Sequence, residues 1–219
     1  MKFVLSKAID GTMQLKAHEL AQQNRKAFCQ KVGITYEKIV AGQLVNSNNI
    51  AVVGDSDAGT IKMATDGLIT ASKNVFLSIT VADCLPVILY SPDKVVALLH
   101  SGWRGLDLGI IGKAVKIMGE MGVKTNEIMA EVGPGIESHH YSVGPEVAVK
   151  FGQITGVVTQ KEDVFYLDLK TVAKHQLMEL GIGQIQTSPV CTFCDESHYS
   201  ARRDQKEPVE AMMAIVSLS

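Results

Sequence analysis

The stretch 80-TVADCLPVILYSPDKVVALLHSGWRG-105 decides how this chain is read. Two apolar runs, Leu85–Tyr90 and Val95–Leu99, flank Ser91-Pro92-Asp93-Lys94. Proline fixes its own backbone angle and aspartate bonds neighbouring amides, so the four residues form a turn and the runs a β-hairpin. Cys84 enters the first strand and His100 leaves the second. An antiparallel hairpin returns to the edge it left, which places a thiol and an imidazole at one edge of a sheet. Gly102 and Gly105 then flank Trp103-Arg104, the pattern of a tight strand-to-helix turn whose backbone approaches something closely. Asp107 begins the following helix, with Ile110, Ile111, Ala114, Val115 and Met118 at helical spacing. Its amides point back to the turn and favour an anion or a thiolate there.

Outward from the hairpin, strands are expected at Lys2–Ser6, Lys38–Val45, Ile50–Val53, Asp66–Thr70, Val75–Val81, Glu127–Val132, Phe165–Leu169, Ile185–Val190 and Met212–Leu218. Helices are expected at Lys16–Val32, Pro145–Phe151 and Leu169–Leu180, the last capped by Asp168. Strands and helices mix without a βαβ rhythm, so the class is α+β. The 219 residues show no linker and no repeat, which favours one domain over 1–219. With 46% hydrophobic and 20% charged residues the chain is globular rather than disordered. A net charge of −2 gives no general attraction to nucleic acid or an anionic membrane. No apolar run reaches the roughly 20 residues that span a bilayer, and the N-terminus makes a poor signal peptide. The four cysteines, Cys29, Cys84, Cys191 and Cys194, are then expected as reduced thiols in a cytoplasm.

Alone, Cys84 reads as filling in an apolar strand. His100 changes that, because nucleophilic cysteines and zinc centres both set a thiolate beside an imidazole. Catalytic zinc takes three protein ligands and keeps one position open; Cys84 and His100 supply two. Cys191-x-x-Cys194 with His198 has the spacing of a zinc-knuckle fragment or a redox pair, and His139 or His140 would have to supply a further ligand. His139-His140 is otherwise a loop pair. Arg202-Arg203 beside Ser200 is an anion-binding set, since guanidinium grips phosphate or carboxylate bidentately; a solvated basic pair is the equal alternative.

Taken together, ADCLPV (82–87), HSGWRG (100–105), GPGI (133–136) followed by HHYSVGPEV (139–147), and Cys191-Thr192 leading to HYSARR (198–203) resemble the laccase-domain family. Its bacterial members are known as YfiH-like or multicopper polyphenol oxidase proteins. The resemblance runs from Asn24-Arg25 to the closing strand. It implies an α+β fold of mixed and antiparallel sheets packed as a sandwich with flanking helices, and a site at one end. It also implies a metal or catalytic centre built from a Gln-Val-His-Gly histidine, the ADC cysteine and the HAGWRG histidine. The last two fall on Cys84 and His100. The first falls on Leu44-Val45-Asn46-Ser47, so Asn46 stands where the family has histidine, and an amide is a far poorer zinc or copper ligand. Three further segments depart from the family: Ile9-Asp10-Gly11-Thr12 is a shortened glycine-rich stretch, HYSARR replaces FFSYRR, and Glu210-Ala211 stands near an expected Gly-Arg.

The activity implied is phosphorolysis of adenosine, inosine or guanosine, with phosphate as co-substrate, and deamination of adenosine. Cys84, His100 and Asn46 would be catalytic, Cys84 and His100 ligands of zinc (copper as the alternative), and Arg104, Ser200, Arg202 and Arg203 substrate-binding. The expected partner is a purine nucleoside, on a monomer or small homo-oligomer. Two other readings stand beside this one: a metal-independent cysteine hydrolase, and a non-catalytic ligand-binding protein. A copper-dependent phenol oxidase is the weakest, because two ligands and dispersed cysteines do not make a multicopper array.

Overall fold

Leu85–Ser91 and Val95–Ser101 pair antiparallel, with Pro86 opposite His100 and Ser91 opposite Val95. Leu85, Val87, Leu89, Val95, Ala97 and Leu99 enter one core cluster, whereas Ile88, Val96 and Leu98 enter another. A strand buried on both faces reads as an unbroken apolar run, which is why this hairpin shows no apolar–polar alternation.

The structure is a computed structural model and describes residues 1–15 and 19–218. Among the described residues the strands are β1 (Lys2–Leu5), β2 (Ile39–Gly42), β3 (Ile50–Val52), β4 (Ile61–Lys62), β5 (Gly67–Thr70), β6 (Phe76–Val81), β7 (Leu85–Ser91), β8 (Val95–Ser101), β9 (Met129–Val132), β10 (Ser142–Val143), β11 (Val158–Lys161), β12 (Val164–Leu167), β13 (Gln184–Thr187) and β14 (Met212–Ser217). The helices are α1 (Glu19–Lys31), α2 (Trp103–Asp107), α3 (Ile110–Glu120), α4 (Pro145–Phe151), α5 (Leu169–Glu179) and α6 (Ala201–Asp204).

One sheet has the order β13-β9-β7-β8-β5-β3 and a second β1-β14-β6-β2-β4. They pack face to face, with Leu68, Ile88 and Leu98 of the first against Leu77, Ile79 and Val216 of the second. Helices α2 to α5 cover the outer face of the first sheet, and α1 covers the second through Phe28 and Cys29. A small third sheet runs β10-β12-β11. Pairings are mixed: β3–β5, β2–β6 and β9–β13 are parallel, the hairpins antiparallel. This is the expected α+β sandwich with flanking helices. No helix among the described residues is long and apolar enough to cross a membrane.

Several boundaries differ from expectation. The helix after His100 begins at Trp103, not Asp107; Gly109 in the left-handed region (φ 71°) then breaks it into α2 and α3. The strand expected to reach Val45 stops at Gly42; the Gln43 N–H still reaches the Lys62 carbonyl, but the amides of Val45, Asn46 and Ser47 turn toward Asp66. The strand expected at Phe165–Leu169 is one arm of a hairpin, β11–β12, whose polar first arm, Val158-Thr-Gln-Lys, carried no strand signal. Asp168 does cap α5, accepting the Thr171 N–H at 2.9 Å. Residues 16–18, where α1 was expected to start and where His18 falls, lie outside the described residues.

Candidate active site

The β7–β8 register sets Leu85 opposite Ser101, so Cys84 and Gly102 follow as neighbours at the mouth of the hairpin. A Cβ at position 102 would fall 2.8 Å from Cys84 Sγ and 4.0 Å from His100 Cε1. Glycine stands there for close approach, because its φ of −75° suits any residue. Cys84, His100 and Asn46 line one cavity of about 380 Å³, together with Gln14, Gln43 and Thr80. Its size lies in the range of small-molecule sites. The three positions named from the sequence are thus brought together.

A residue that sequence reasoning took only for the start of a strand organises them. Asp66 is fully buried, and its Oδ1 lies 3.1 Å from His100 Nδ1. The same carboxylate accepts the backbone N–H groups of Val45 (3.2 Å), Asn46 (2.9 Å) and Ser47 (2.9 Å), and the Ser47 hydroxyl at 2.8 Å. The Asn-Ser loop is wrapped around a negative charge, with Asn46 at φ 60°, a conformation asparagine tolerates. Burial alone would raise the Asp66 carboxyl, but the His100 hydrogen bond and those from Ser47 and Val45 outweigh it and hold the group at about 2. Burial likewise works against charge on His100; the charge of Cys84, then the hydrogen bond to Asp66, overcome it and push the imidazole up to about 9. These directions favour the charged form of His100, an imidazolium set between the Asp66 carboxylate and the Cys84 sulfur.

Asp83 is a second residue missed. It adopts φ 79°, is buried, and accepts from Thr192 Oγ1 (2.7 Å), Ser200 Oγ (3.1 Å) and the Arg202 N–H (2.7 Å). One carboxylate thereby anchors the C-terminal loops beside Cys84. Ser200 is buried, donates to Asp83 and accepts the Arg203 N–H at 3.1 Å, capping α6. The Arg203 guanidinium donates to the carbonyls of Thr192, Phe193 and His198 and pairs with Asp204. Both residues are engaged in holding the loop. Arg202 donates to the Ser142 carbonyl (3.0 Å) and hydroxyl (2.8 Å) and lies over the Tyr141 ring at 5.2 Å. Arg104 is exposed and lies over Trp103 at 4.4 Å. The Tyr141 hydroxyl is raised by burial first and then by the charge of Cys84, against the opposing pull of Arg202 and Arg104. One phenol thus senses the thiol and both arginines. Nothing in the sequence singled it out beyond its place in HHYSVG.

His198 does not join Cys191 and Cys194, as the spacing had suggested. Its Nε2 lies 2.7 Å from Lys7 Nζ and its Nδ1 3.0 Å from Asp195 Oδ2, and burial followed by the Lys7 charge lowers its pKa. The Cys84–His100 pair also falls short as a metal centre. The Asp66 contact orients His100 as metal-bound histidines are oriented. However, the third donor is the amide of Asn46, and zinc sites of this kind take three cysteine, histidine or carboxylate ligands. The residues present do not complete a zinc site or a multicopper array. Among the described residues, the group of three such donors lies elsewhere, at His139, Cys191 and Cys194.

Residues 12–219 match the family described as multi-copper polyphenol oxidoreductase laccase. A purine nucleoside phosphorylase of Corynebacterium glutamicum is 31% identical over 186 residues, covering 83% of this chain and 75% of that protein. The purine nucleoside phosphorylase YlmD of Bacillus subtilis is 32% identical over 200 residues, with 84% and 72% covered. Two solved structures share the fold. The Bacillus licheniformis hypothetical protein YfiH superposes with a TM-score of 0.88 at 31% identity, over 95% of this chain and 85% of that one. YlmD from Geobacillus stearothermophilus gives 0.89 at 27% identity, over 94% and 84%. With nearly the whole chain matched and the Cys84–His100 hairpin at the centre of the fold, this protein belongs to the multi-copper polyphenol oxidoreductase laccase family.

Proposed function

We propose that the protein is an enzyme of purine nucleosides that splits them with phosphate into free base and ribose 1-phosphate. The observation that carries this reading is His100, held charged between Asp66 and Cys84 on the wall of a small-molecule cavity. The names of the relatives supply the substrate class. A phosphate oxygen bonds to C1′ of the ribose as the C1′–N9 bond breaks, and the bonding pair goes to the purine. The base leaves with the His100 proton, and the proton of hydrogen phosphate returns to the imidazole. General acid catalysis of this kind contributes about 10²–10⁴-fold. Cys84 and Asp66 favour the charged imidazole; Asn46 offers an amide, which suits the donor–acceptor edge of a purine. In this reading Arg104 and Arg202, whose charges act on Tyr141 beside the site, would hold the phosphate.

The test is base release from inosine with and without phosphate. Hypoxanthine and ribose 1-phosphate should appear only with phosphate and be lost in Cys84→Ala and His100→Ala. Full activity in both variants, or no turnover of any purine nucleoside, would sink the proposal. Adenosine deamination is read separately, as inosine formed from adenosine.

A second reading has its own support, because thiol, imidazole and carboxylate in the order Cys84–His100–Asp66 are also the working set of cysteine hydrolases. There the thiolate attacks an acyl carbon and phosphate is irrelevant. Phosphate-independent ester cleavage with an acyl group trapped on Cys84 would favour it.

A further inference from the structure

Cys191 and Cys194 lie far from Cys84 in sequence and take no part in the cavity described above. Their sulfurs and a ring nitrogen of His139 all lie within 4.8 Å of one another, with His139 Nε2 3.3 Å from Cys194 Sγ. Tetrahedral zinc with Zn–S near 2.3 Å and Zn–N near 2.05 Å sets its ligand atoms about 3.6–3.8 Å apart, so small side-chain rotations suffice to seat an ion. We propose that His139, Cys191 and Cys194 form a binding site for zinc or a similar thiophilic divalent cation, separate from the Cys84–His100 centre.

The backbone around these donors is already built. Cys191 bridges Gly135 in parallel, the Thr192 N–H donates to the Gly135 carbonyl at 3.2 Å, and the Asp195 N–H closes the turn onto the Cys191 carbonyl at 3.0 Å. On the opposite segment, Ser138–His140 forms a single 3-10 turn that presents His139. His140 stacks on Phe193, between the two cysteines, with centroids 3.9 Å apart. Lys170 is buried beneath both segments; it pairs with Glu137 and donates to the carbonyls of Ser188 and Val190. The Glu137 N–H donates to Cys191 Sγ at 3.4 Å, a hydrogen bond that favours the thiolate as ligand. With this frame in place the donors do not have to be gathered from a disordered loop.

Two thiolates and an imidazole select zinc-like cations over magnesium or calcium, which take oxygen. His139 and Cys194 are exposed, so the fourth position opens to solvent and a water can fill it. The ion would lock the turn 138–140 to the turn 191–194. The first runs directly into Tyr141 and Ser142, the contacts of Arg202; the second carries the Thr192 and Phe193 carbonyls that hold Arg203. Occupancy thus stiffens the loops behind the cavity. This follows from geometry alone and does not depend on the nucleoside reading.

The experiment uses the full chain, purified with thiols kept reduced, and loaded with zinc or with cobalt(II) as a spectroscopic probe. The wild type should bind one ion per chain, with the intense sulfur-to-cobalt charge-transfer band of thiolate ligation. Cys194→Ser should roughly halve that band and weaken zinc binding at least tenfold. His139→Ala should keep the band but weaken binding, and Cys84→Ala should change neither. Zinc should raise the unfolding temperature of the wild type by about 3 °C or more at saturating metal, and not that of Cys194→Ser. Cys194 and His139 are exposed, so neither variant threatens the fold. The proposal is overturned if reduced protein binds no zinc at micromolar concentration. It is equally overturned if the ion is lost in Cys84→Ala but kept in Cys194→Ser, or if Cys191 and Cys194 are joined as a disulfide in protein prepared without oxygen.

Discussion

Replacing Asp66 by asparagine tests the centre at its hinge. Oδ1 serves the Asn46 N–H and His100 Nδ1; Oδ2 serves the Val45 and Ser47 N–H groups and the Ser47 hydroxyl. An asparagine keeps one acceptor oxygen and turns an NH₂ toward the other set, so at least two donors lose their acceptor at a fully buried position. At about 1–3 kcal/mol for each unsatisfied buried donor, the cost is about 4 kcal/mol. For a chain of this size that corresponds to a fall of about 10 °C in Tm. The charge balance changes as well. His100 is pushed up from 6.5 to about 9, so its stabilisation is complete below 6.5 and is lost as pH rises through about 9. Asp66 is depressed from 3.8 to about 2, so its stabilisation is complete above 3.8 and is lost as pH falls toward 2. In Asp66→Asn only Cys84 is left to oppose the burial of the imidazole, and the pKa of His100 falls.

Two measurements read this. Thermal unfolding between pH 6 and 10 should show the wild type losing stability from about pH 6.5 up to about pH 9, while the variant starts lower and declines less over that span. The pH–rate profile for base release should have its basic limb near 9 in the wild type and displaced downward in the variant. If Asp66→Asn unfolds within 2 °C of the wild type with the basic limb unmoved, then Asp66 neither organises the loop nor holds the proton on His100, and the account of the site fails.

Other substitutions separate the remaining parts. Asn46→His puts an imidazole at a left-handed position that histidine tolerates, beside Cys84 and His100. In a Cys194→Ser background it should bind one zinc ion that Cys194→Ser alone does not, and equal zinc content in the two would show that position 46 does not face the pair. Gly102→Ala places a Cβ 2.8 Å from Cys84 Sγ, so kcat/KM should drop at least tenfold, with about 1–3 kcal/mol of destabilisation from overpacking; a wild-type rate refutes the close-approach argument. Arg202→Ala removes a cation sensed by Tyr141. The KM for phosphate should rise about tenfold and that for inosine stay within about twofold, since a charged hydrogen bond contributes about 1.5–3 kcal/mol, and an equal change in both would count against a phosphate role.

The sequence was informative where contacts are local and silent where they are not. The hairpin is legible because its turn chemistry and its two ends lie within one stretch, and register alone carries Cys84 and His100 to one edge. The helix after it was placed four residues late, since apolar spacing does not reveal that Leu108-Gly109 interrupts the run with a left-handed residue. Asp66 was invisible because its partners sit 19 to 34 positions away, and a carboxylate before an apolar run is usually a turn residue. Asp83 meets Ser200 and Arg202 across 117 and 119 positions. His198 misled in the opposite way. Its nearness to Cys194 in sequence suggested ligation, yet Lys7, 191 positions away, holds its ring, whereas His139 meets Cys194 across 55.

Asp66 also changes what Asn46 means. The backbone at 45–47 is held by amides that converge on a carboxylate, and the same carboxylate holds His100. The side chain at 46 contributes nothing to those bonds. Exchange for another residue that tolerates the left-handed region leaves those bonds in place, and Asn46 is not among the groups that set the charge on His100. A histidine there would supply a third ligand of the metal-binding kind; an asparagine leaves the Cys84 sulfur, the His100 imidazole and the Asp66 carboxylate in the same positions with an amide facing the cavity. Metal chemistry and proton transfer thus become alternatives set by one side chain on an unchanged frame. An asparagine at position 46 does not dismantle the centre, because the group that assembles it is Asp66.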